Sequence, residues 1–391
     1  MKTRHLFRCL LALPAILMVL TPLATRAAPP AAGTWTLTGA MHQARAAQTA
    51  TLLPSGLVLI AGGGDVNGPL ASAELYHPDT GSWAGAGSMH VPRMEFTATL
   101  LHDDRVLVAG GYGANGPTAS AELYNPRSGS WTLTGSMHEP RVFQTMTLLP
   151  DGQVLVAGGV AHGCPNTNCS GVLASAELYD PRTGAWTLTS PMHQARARST
   201  ATLLPVGQVL VTGGAAGGAR NADTNSLTSA ELYNPRTGTW KATGSMHDAR
   251  WSATADLLAG GVVLVAGGYS DNGPVFPAEI YHPRTGAWTV AGSLNHPRAY
   301  ETAETATLLP SGQVLIAGSY EGAVGGNSSY PGASAEIYHP RTGAWSATGS
   351  MHDPRMAQTA TLLLTGQVLV VGGCSSKTCS TILASAELYH A

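Results

Sequence analysis

The sequence predicts an all-β fold made of seven repeated units, each with four short strands. In the unit at residues 93–131, two apolar runs are separated by a turn, and a Gly-rich loop, a third run and a Pro-Arg-Ser-Gly turn lead to Trp131. Runs of this length, rich in Val, Thr, Leu and Tyr and bounded by turn residues, are typical of strands rather than helices. A fourth run follows the tryptophan, and the pattern begins again at Arg141.

Four kinds of residue recur at a spacing near fifty residues, which reveals the internal repeat. Successive tryptophans lie 48 to 57 residues apart, at Trp35, Trp83, Trp131, Trp186, Trp240, Trp288 and Trp345. An arginine begins the first strand of each unit, at Arg45, Arg93, Arg141, Arg196, Arg250, Arg298 and Arg355. A glutamate lies two residues before a tyrosine in each third strand, at Glu74, Glu122, Glu177, Glu231, Glu279, Glu336 and Glu387. A Gly-Gly doublet follows the second strand in six units, and Gly318-Ser319 replaces it in the other.

A period near fifty residues with a Gly-Gly doublet, then a Tyr and then a Trp resembles the kelch repeat. The resemblance covers the chain after its first 27 residues and implies a seven-bladed kelch-type β-propeller, with four-stranded blades around a central channel. The first segment of the repeat, Trp35–Gly39, is a fourth strand, whereas the last, Ser385–His390, is a third strand. We therefore predict that the N-terminal strand closes the last blade, which removes the free edges of an open array.

Residues 1–27 predict a secretory signal peptide, followed by a propeller domain at residues 28–391. The segment has a basic start, an apolar run from Cys9 to Leu23 and a small-residue cleavage site at residues 25–27. The apolar run is too short for a membrane span, and no stop-transfer pattern follows it. We therefore expect a secreted protein, either extracellular or periplasmic.

The charge composition argues against nucleic acid and membranes as partners. Charged residues make up 11% of the chain, the net charge is −2, and no basic run or stripe is present. We expect a monomer that has a protein or glycan ligand and no stable membrane insertion.

The four cysteines outside the leader predict two local disulfides. Cys164 and Cys169 lie in one loop after a Gly-Gly doublet, and Cys374 and Cys379 lie in another. In an oxidising compartment this spacing favours the pairs Cys164–Cys169 and Cys374–Cys379. A zinc site would require the two pairs to meet, but they belong to the third and seventh units.

The repeated arginines and glutamates are interpreted as structural pairs, since two charges that recur in every unit can hardly be buried alone. Substrate binding by the ring of arginines is the alternative. Six units also carry a histidine in a Met-His motif, at His42, His90, His138, His193, His247 and His352. These histidines are spread around the ring, whereas a metal needs its ligands about 2 Å from one point, so neither a metal nor another cofactor is expected.

Residues that differ between units are the candidates for binding, because a ligand without sevenfold symmetry must be recognised by residues that break the repeat. Those just past the repeated arginines should surround the channel mouth. They combine aromatic rings with charged groups, which can anchor and orient a ligand. The candidates are Glu95, Phe143, Gln144, Arg198, Trp251, Tyr300, Glu301 and Glu304.

Three functions are compatible with this pattern, and the favoured one is a secreted non-enzymatic propeller that acts as a protein- or carbohydrate-binding scaffold. The alternative is an exported sugar-modifying enzyme with its site at the channel mouth, similar to galactose oxidase or to sialic-acid mutarotase. The first resemblance implies a Tyr cross-linked to a Cys and further Tyr and His copper ligands, but here the four cysteines are expected to pair. The second requires acid–base groups, for which Glu95, Glu301 and Glu304 are available. We assign no catalytic residue.

Overall fold

Each of the seven units forms one four-stranded antiparallel sheet, so the predicted blades are confirmed. The computed structural model describes residues 30–162, 171–217, 225–298, 306–321 and 330–391. These strands belong to a compact unit at Ala32–Ala391. None of the described residues belongs to a helix that is long and apolar enough to cross a membrane.

The four strands of a blade follow one another along the chain and across the sheet. The first strands are Thr49–Leu52, Thr97–Leu100, Thr145–Leu148, Thr200–Leu203, Thr254–Leu257, Ala306–Leu308 and Thr359–Leu362. The second strands are Val58–Ala61, Val106–Ala109, Val154–Ala157, Val209–Thr212, Val263–Ala266, Val314–Ala317 and Val368–Val371. The third strands are Ser72–His77, Ala121–Asn125, Ala176–Asp180, Ala230–Asn234, Pro277–His282, Ala335–His339 and Ala386–His390.

The fourth strands are outermost and follow the Pro-containing turns. They are Ser82–Ser88, Ser130–Leu133, Ala185–Thr189, Thr239–Ala242, Ala287–Ser293, Ala344–Ala347 and, for blade 7, Thr34–Thr38. Four two-residue ladders extend the loops between second and third strands. They pair Gly64–Asp65 with Gly68–Pro69, Tyr112–Gly113 with Gly116–Pro117, Tyr269–Ser270 with Gly273–Pro274, and Tyr320–Glu321 with Tyr330–Pro331.

The first strands form the inside of the ring. Each contacts the first strands of the two neighbouring blades, and blade 7 contacts blade 1 in the same way as it contacts blade 6. The ring is therefore closed around a central channel. The prediction that the N-terminal strand completes blade 7 is confirmed, because Thr34–Thr38 pairs antiparallel with Ala386–His390, with Trp35 opposite Tyr389.

The apolar core lies between the blades. Every residue of the second strands is buried, because both faces of each blade are covered by its neighbours. One such layer combines Leu59 of blade 1 with Val106 and Tyr124 of blade 2. A strand that is buried on both faces requires a continuous apolar run, which explains the repeated Val-Leu-Val-Ala sequences.

The repeated tryptophans join the blades at the outer rim. Trp186 packs against Tyr179 of its own blade, with ring centroids 5.0 Å apart, and its Nε1 donates to the Gly135 oxygen of the preceding blade at 2.7 Å. The equivalent donor bonds a carbonyl of the preceding blade in all seven units. The recurrence of the tryptophan thus reflects this contact between blades.

The structure contains the Cys374–Cys379 disulfide in the loop after the second strand of blade 7. Cys164 and Cys169 lie outside the described residues, as does the predicted signal peptide at residues 1–27. The second disulfide and the leader therefore stay predictions from the sequence.

Candidate functional site

Each repeated arginine ties the chain that enters its blade to the third strand of that blade, in an arrangement that we call the clasp. Arg93 is fully buried, and its Nη1 donates to the backbone oxygens of Gly110 (2.7 Å) and Ser120 (2.9 Å). Its Nη2 donates to Glu122 Oε1 at 3.1 Å, and the arginine–glutamate pair recurs in every blade at 2.9–3.1 Å. The Arg93 amide meanwhile donates to the Leu70 oxygen of blade 1, so the clasp also joins adjacent blades.

The glutamate of the clasp is stabilised as a carboxylate. Glu122 Oε2 accepts hydrogen bonds from the amide (2.7 Å) and Nδ1 (2.8 Å) of His90, and Oε1 accepts one from the Val91 amide (3.0 Å). Burial by itself raises the pKa of Glu122, but these hydrogen bonds and the Arg93 charge outweigh it, so the net pKa lies below its ordinary value. The pKa is also lowered for Glu74, Glu177, Glu231, Glu279 and Glu336.

The recurring histidines therefore serve the clasp in these blades. Since a carboxylate only accepts, the Nδ1 that faces it carries the proton. In blade 6, Asn295 stands where the other units have histidine, and its Nδ2 donates to Glu336 Oε2 at 2.6 Å. One donor nitrogen at this position is what the clasp requires, which is why asparagine can replace histidine.

The Gly-Gly doublets allow the entering chain of one blade to approach the second strand of the preceding blade. Gly62 and Gly63 have φ values of 58° and 87°, and the Gly63 amide donates to the Arg93 oxygen at 2.9 Å. A Cβ atom on Gly62 would lie only 2.6 Å from that oxygen. Both the conformation and the close approach therefore require glycine at this position.

A ring of left-handed residues follows the clasps, two positions after each arginine, and we call it the mouth ring. Its described members are Ala47 (φ 55°), Glu95 (53°), Phe143 (60°), Arg198 (54°), Ser252 (51°) and Ala357 (54°). Backbone hydrogen bonds of 2.9–3.1 Å link neighbours in this ring, including Glu95 N to Ala47 O and Ser252 N to Arg198 O. The left-handed conformation costs a non-glycine residue about 1–2 kcal/mol. The repeat thus imposes one backbone geometry on positions whose side chains differ widely.

Five members of the mouth ring line one end of a cavity of about 400 Å³ in the channel. The wall continues along the first two residues of the first strands, which are mainly threonine and alanine. Among the described lining residues, three are charged: Glu95, Arg198 and Asp256. Glu95 and Asp256 are half-buried, whereas Arg198 is 7% exposed.

The structure brings three of the sequence candidates, Glu95, Phe143 and Arg198, together in the mouth ring. Gln144 also lines the cavity, but its Nε2 donates to the Ala109 oxygen of the preceding blade at 2.9 Å. Trp251 is 2% exposed and packs against Tyr269, with ring centroids 5.6 Å apart. The remaining candidates, Tyr300, Glu301 and Glu304, lie outside the described residues.

Arg198 lies between two aromatic side chains. Its guanidinium carbon is 3.6 Å from the centroid of the Phe143 ring and 5.5 Å from that of Trp251. Guanidinium groups are attracted to the faces of aromatic rings, more strongly when water is excluded. Phe143 and Trp251 thus hold Arg198 in the wall of the cavity across blades 3, 4 and 5.

Asp256 is a charged lining residue that the sequence candidates did not include. It is the third residue of a first strand, where the six other blades have threonine at Thr51, Thr99, Thr147, Thr202, Thr307 and Thr361. The signal was available as Thr-Ala-Asp-Leu in place of Thr-Ala-Thr-Leu. A search for repeat-breaking residues in strands as well as in loops would have found it.

The cavity wall does not fit the copper site that a resemblance to galactose oxidase implies. That site uses Tyr, His and a Cys-linked Tyr, but the described lining residues include no Tyr, His or Cys. In addition, no group of three or more His, Cys, Asp or Glu that could hold a metal occurs in the part of the chain that the structure describes. We therefore derive no metal chemistry for this wall.

Comparison with known proteins supports the repeat assignment. The Kelch motif matches residues 96–138 and 149–193. No curated protein matches the sequence significantly.

Solved structures share the fold at low sequence identity. One is described as a novel fungal alcohol oxidase with catalytic diversity among the AA5 family, in complex with copper; it has a TM-score of 0.73 and 17% identity over 92% of this chain and 76% of its own. The structure of YjhT has a TM-score of 0.58 and 15% identity over 77% of this chain and 95% of its own. These identities show a common fold alone. The seven closed blades make the chain a β-propeller, and two stretches of it match the Kelch motif.

Proposed function

We propose that this chain is a secreted, non-enzymatic propeller that binds a carbohydrate at the channel mouth. The observation that carries the proposal is the mouth ring. Six positions with the same left-handed backbone hold alanine, glutamate, phenylalanine, arginine and serine side chains. The repeat fixes the backbone conformation at these positions but does not fix the side chains. The side chains can therefore serve to recognise a ligand.

The shape of the cavity favours a small ligand, or the end of a larger one. About 400 Å³ lies in the range of small-molecule sites, which are concave and combine apolar walls with a few polar groups. A folded protein would bind across the mouth and leave the cavity unfilled. We therefore favour a saccharide over a protein, and a protein ligand becomes an outcome of the test.

The polar groups of the wall suit a ligand with many hydroxyl groups. Threonine hydroxyls both donate and accept hydrogen bonds, and the carboxylates of Glu95 and Asp256 accept from sugar hydroxyls in charge-assisted bonds. Alanine residues such as Ala50 and Ala98 between them offer apolar surface to the sugar ring carbons.

Export is part of the same proposal. The Cys374–Cys379 disulfide supports it, because such bonds form and persist in oxidising compartments outside the cytosol. The predicted leader at residues 1–27 points in the same direction. A secreted propeller would meet free or cell-surface glycans.

The proposal predicts that Glu95→Gly abolishes or strongly weakens glycan binding without unfolding the protein. Glycine adopts the φ of 53° at this position without strain, so the ring geometry should persist. A glycan array on the purified protein would identify a ligand, and calorimetric titration of wild type and variant would then give the affinities. We expect a loss of about tenfold or more, as for removal of a charge-assisted hydrogen bond.

Ala47→Gly is the matched control, since it makes the same backbone change at a ring position without a polar side chain. Its affinity should equal that of the wild type. Substitution of the exposed Arg182 in an outer turn should also leave binding unchanged. Binding that is lost with Arg182→Ala but retained with Glu95→Gly would place the ligand on the opposite face and contradict the proposal.

A further inference from the structure

The part of the cavity wall that the first strands form, which we call the floor, carries a carboxylate that the repeat does not require. Among the third-position residues of the first strands, only Asp256 belongs to the described cavity lining, and its six threonine counterparts do not. Asp256 is therefore the lining residue farthest from the mouth ring on its strand. An extended chain rises about 3.3 Å per residue, which places Asp256 up to about 13 Å along the chain from Ser252 in the ring.

Aspartate in place of threonine changes the hydrogen bonds that this position can make. A threonine hydroxyl both donates and accepts, so it can pair with a sugar hydroxyl in either sense. An ionised aspartate only accepts, and it adds a negative charge inside the cavity, where charge interactions are stronger than in bulk water. The position thus favours a group that only donates and carries positive charge.

The other charged groups of the described wall belong to the mouth ring. Glu95 belongs to the mouth ring and adds a second negative charge at the opening. Arg198 also belongs to the mouth ring, where its guanidinium is stacked on Phe143. The described first-strand lining is alanine and threonine apart from Met146 and Asp256, so the charged group on this part of the described wall is a carboxylate.

We propose that Asp256 is a specificity-determining residue that selects a saccharide with a protonated amine at the end inserted into the channel. This inference rests on the proposed function, because it names the class of carbohydrate that the same cavity takes. An amino sugar fits the chemistry: its ammonium group pairs with Asp256, while its hydroxyls face the threonines and Glu95. An N-acetylated sugar loses the charge, and an acidic sugar would be repelled by the floor carboxylate.

The test compares three disaccharides that have the same linkage. They are built from glucosamine, from N-acetylglucosamine and from glucose. Calorimetric titration of the full exported protein should show the glucosamine disaccharide binding about tenfold or more tightly than the other two. Asp256→Thr restores the residue found in six other blades, so it should fold normally. It should abolish the preference for the amine, and Asp256→Asn should do the same.

Asp79→Asn is the control for net charge, since Asp79 is an exposed carboxylate in an outer turn. It should leave the preference intact. The inference would be overturned if the preference survives in Asp256→Thr, or if the wild type binds all three sugars equally. The proposed function would still stand in that case if Glu95→Gly weakens binding. Failure of the wild type to bind any saccharide would overturn both.

A second readout does not depend on the ligand. If Asp256 is retained for recognition rather than for folding, Asp256→Thr should keep a melting temperature close to that of the wild type, because threonine is the residue that six other blades have at this position. A fall in melting temperature in Asp256→Thr would assign Asp256 to the scaffold and contradict the inference.

Discussion

Single hydroxyl groups show how closely the blades depend on one another. Five tyrosine hydroxyls of the third strands pair with a threonine at the end of the fourth strand of the preceding blade or directly after it, as Tyr179 does with Thr134 at 2.8 Å. The hydroxyls of Tyr124 and Tyr338 are buried without a hydrogen-bond partner. At the corresponding positions, three residues after the tryptophan, the preceding blades have Ala86 and Ala291.

We predict that Ala86→Thr and Ala291→Thr stabilise the protein. Each would supply a partner for a buried hydroxyl, worth about 0.5–1.5 kcal/mol in the free energy of unfolding. Threonine also suits a strand, so the backbone should accept it. Denaturant titration of each variant measures the change in midpoint, and Thr134→Ala, which removes an existing pair, should shift it the opposite way. If all three variants have the wild-type midpoint, these hydroxyl pairs do not contribute to stability.

The mouth ring shows a different use of single residues. Glu95, Phe143 and Arg198 occupy backbone positions that would suit glycine better, and none of the described ring positions has glycine. The left-handed conformation costs about 1–2 kcal/mol at each position, and the clasps and the interblade hydrogen bonds around the ring offset this cost.

At the scale of the element, the clasp holds both the entering chain and the third strand. It buries an arginine and a glutamate together and satisfies the carboxylate with backbone and side-chain donors. Removing one partner of such a pair would leave an unpaired buried charge, which typically costs about 3–5 kcal/mol. The same pairing makes the fold sensitive to acid.

We predict that the protein loses stability cooperatively below about pH 4. The pKa values of six clasp glutamates are lowered in the folded state, so these groups stabilise the fold above the ordinary glutamate pKa of about 4.3. That contribution is lost as the pH falls through the lowered folded-state values, when the carboxylates take up protons. Denaturant titrations at pH 3–7 measure the free energy of unfolding. A free energy that stays constant from pH 5 to pH 3 would contradict this role.

Glu122→Gln provides the matched comparison for the acid effect. It removes one titrating group and leaves Arg93 without its charge partner, so the variant should be less stable at pH 7 and its stability should depend less steeply on pH. Asp79→Asn, which changes an exposed carboxylate, should reproduce the wild-type pH dependence.

At the scale of the whole molecule, closure of the ring depends on a strand from the far end of the chain. Thr34–Thr38 completes blade 7, and the Trp35 Nε1 donates to the Gly349 oxygen at 2.7 Å. Without this strand, the third strand of blade 7 would expose an unpaired edge, which can pair with other chains. The stability of all seven blades is therefore linked to one short segment.

We predict that deletion of residues 29–40 lowers the melting temperature and promotes aggregation. The deletion removes five residues of strand pairing and a tryptophan that is 7% exposed. Calorimetry and light scattering measure the two effects. Deletion of residues 29–31 alone, which stops short of the strand, serves as the control and should behave like the wild type. Equal behaviour of the two deletions would show that the ring is closed in another way.

Much of this architecture could be predicted from the sequence, because a repeat presents the same local pattern seven times. The number of blades, the four strands of each and the closing role of Trp35–Gly39 follow from the spacing of tryptophans and from turn residues. The position of Glu95, Phe143 and Arg198 near the channel follows from their place after a repeated arginine. These inferences need only the order of strands within one unit and the closure of the ring.

The tertiary structure decided which of the repeat-breaking residues lie in the cavity wall. Gln144 lines the cavity next to Phe143, but its amide is bound to the preceding blade. Trp251 is instead buried against Tyr269 and is not among the described lining residues. Asp256 lines the cavity although it lies within a strand rather than in a loop. The physical reason is that these contacts join residues of adjacent blades, and a left-handed backbone redirects the side chains at the ring. Spacing along one chain carries neither kind of information.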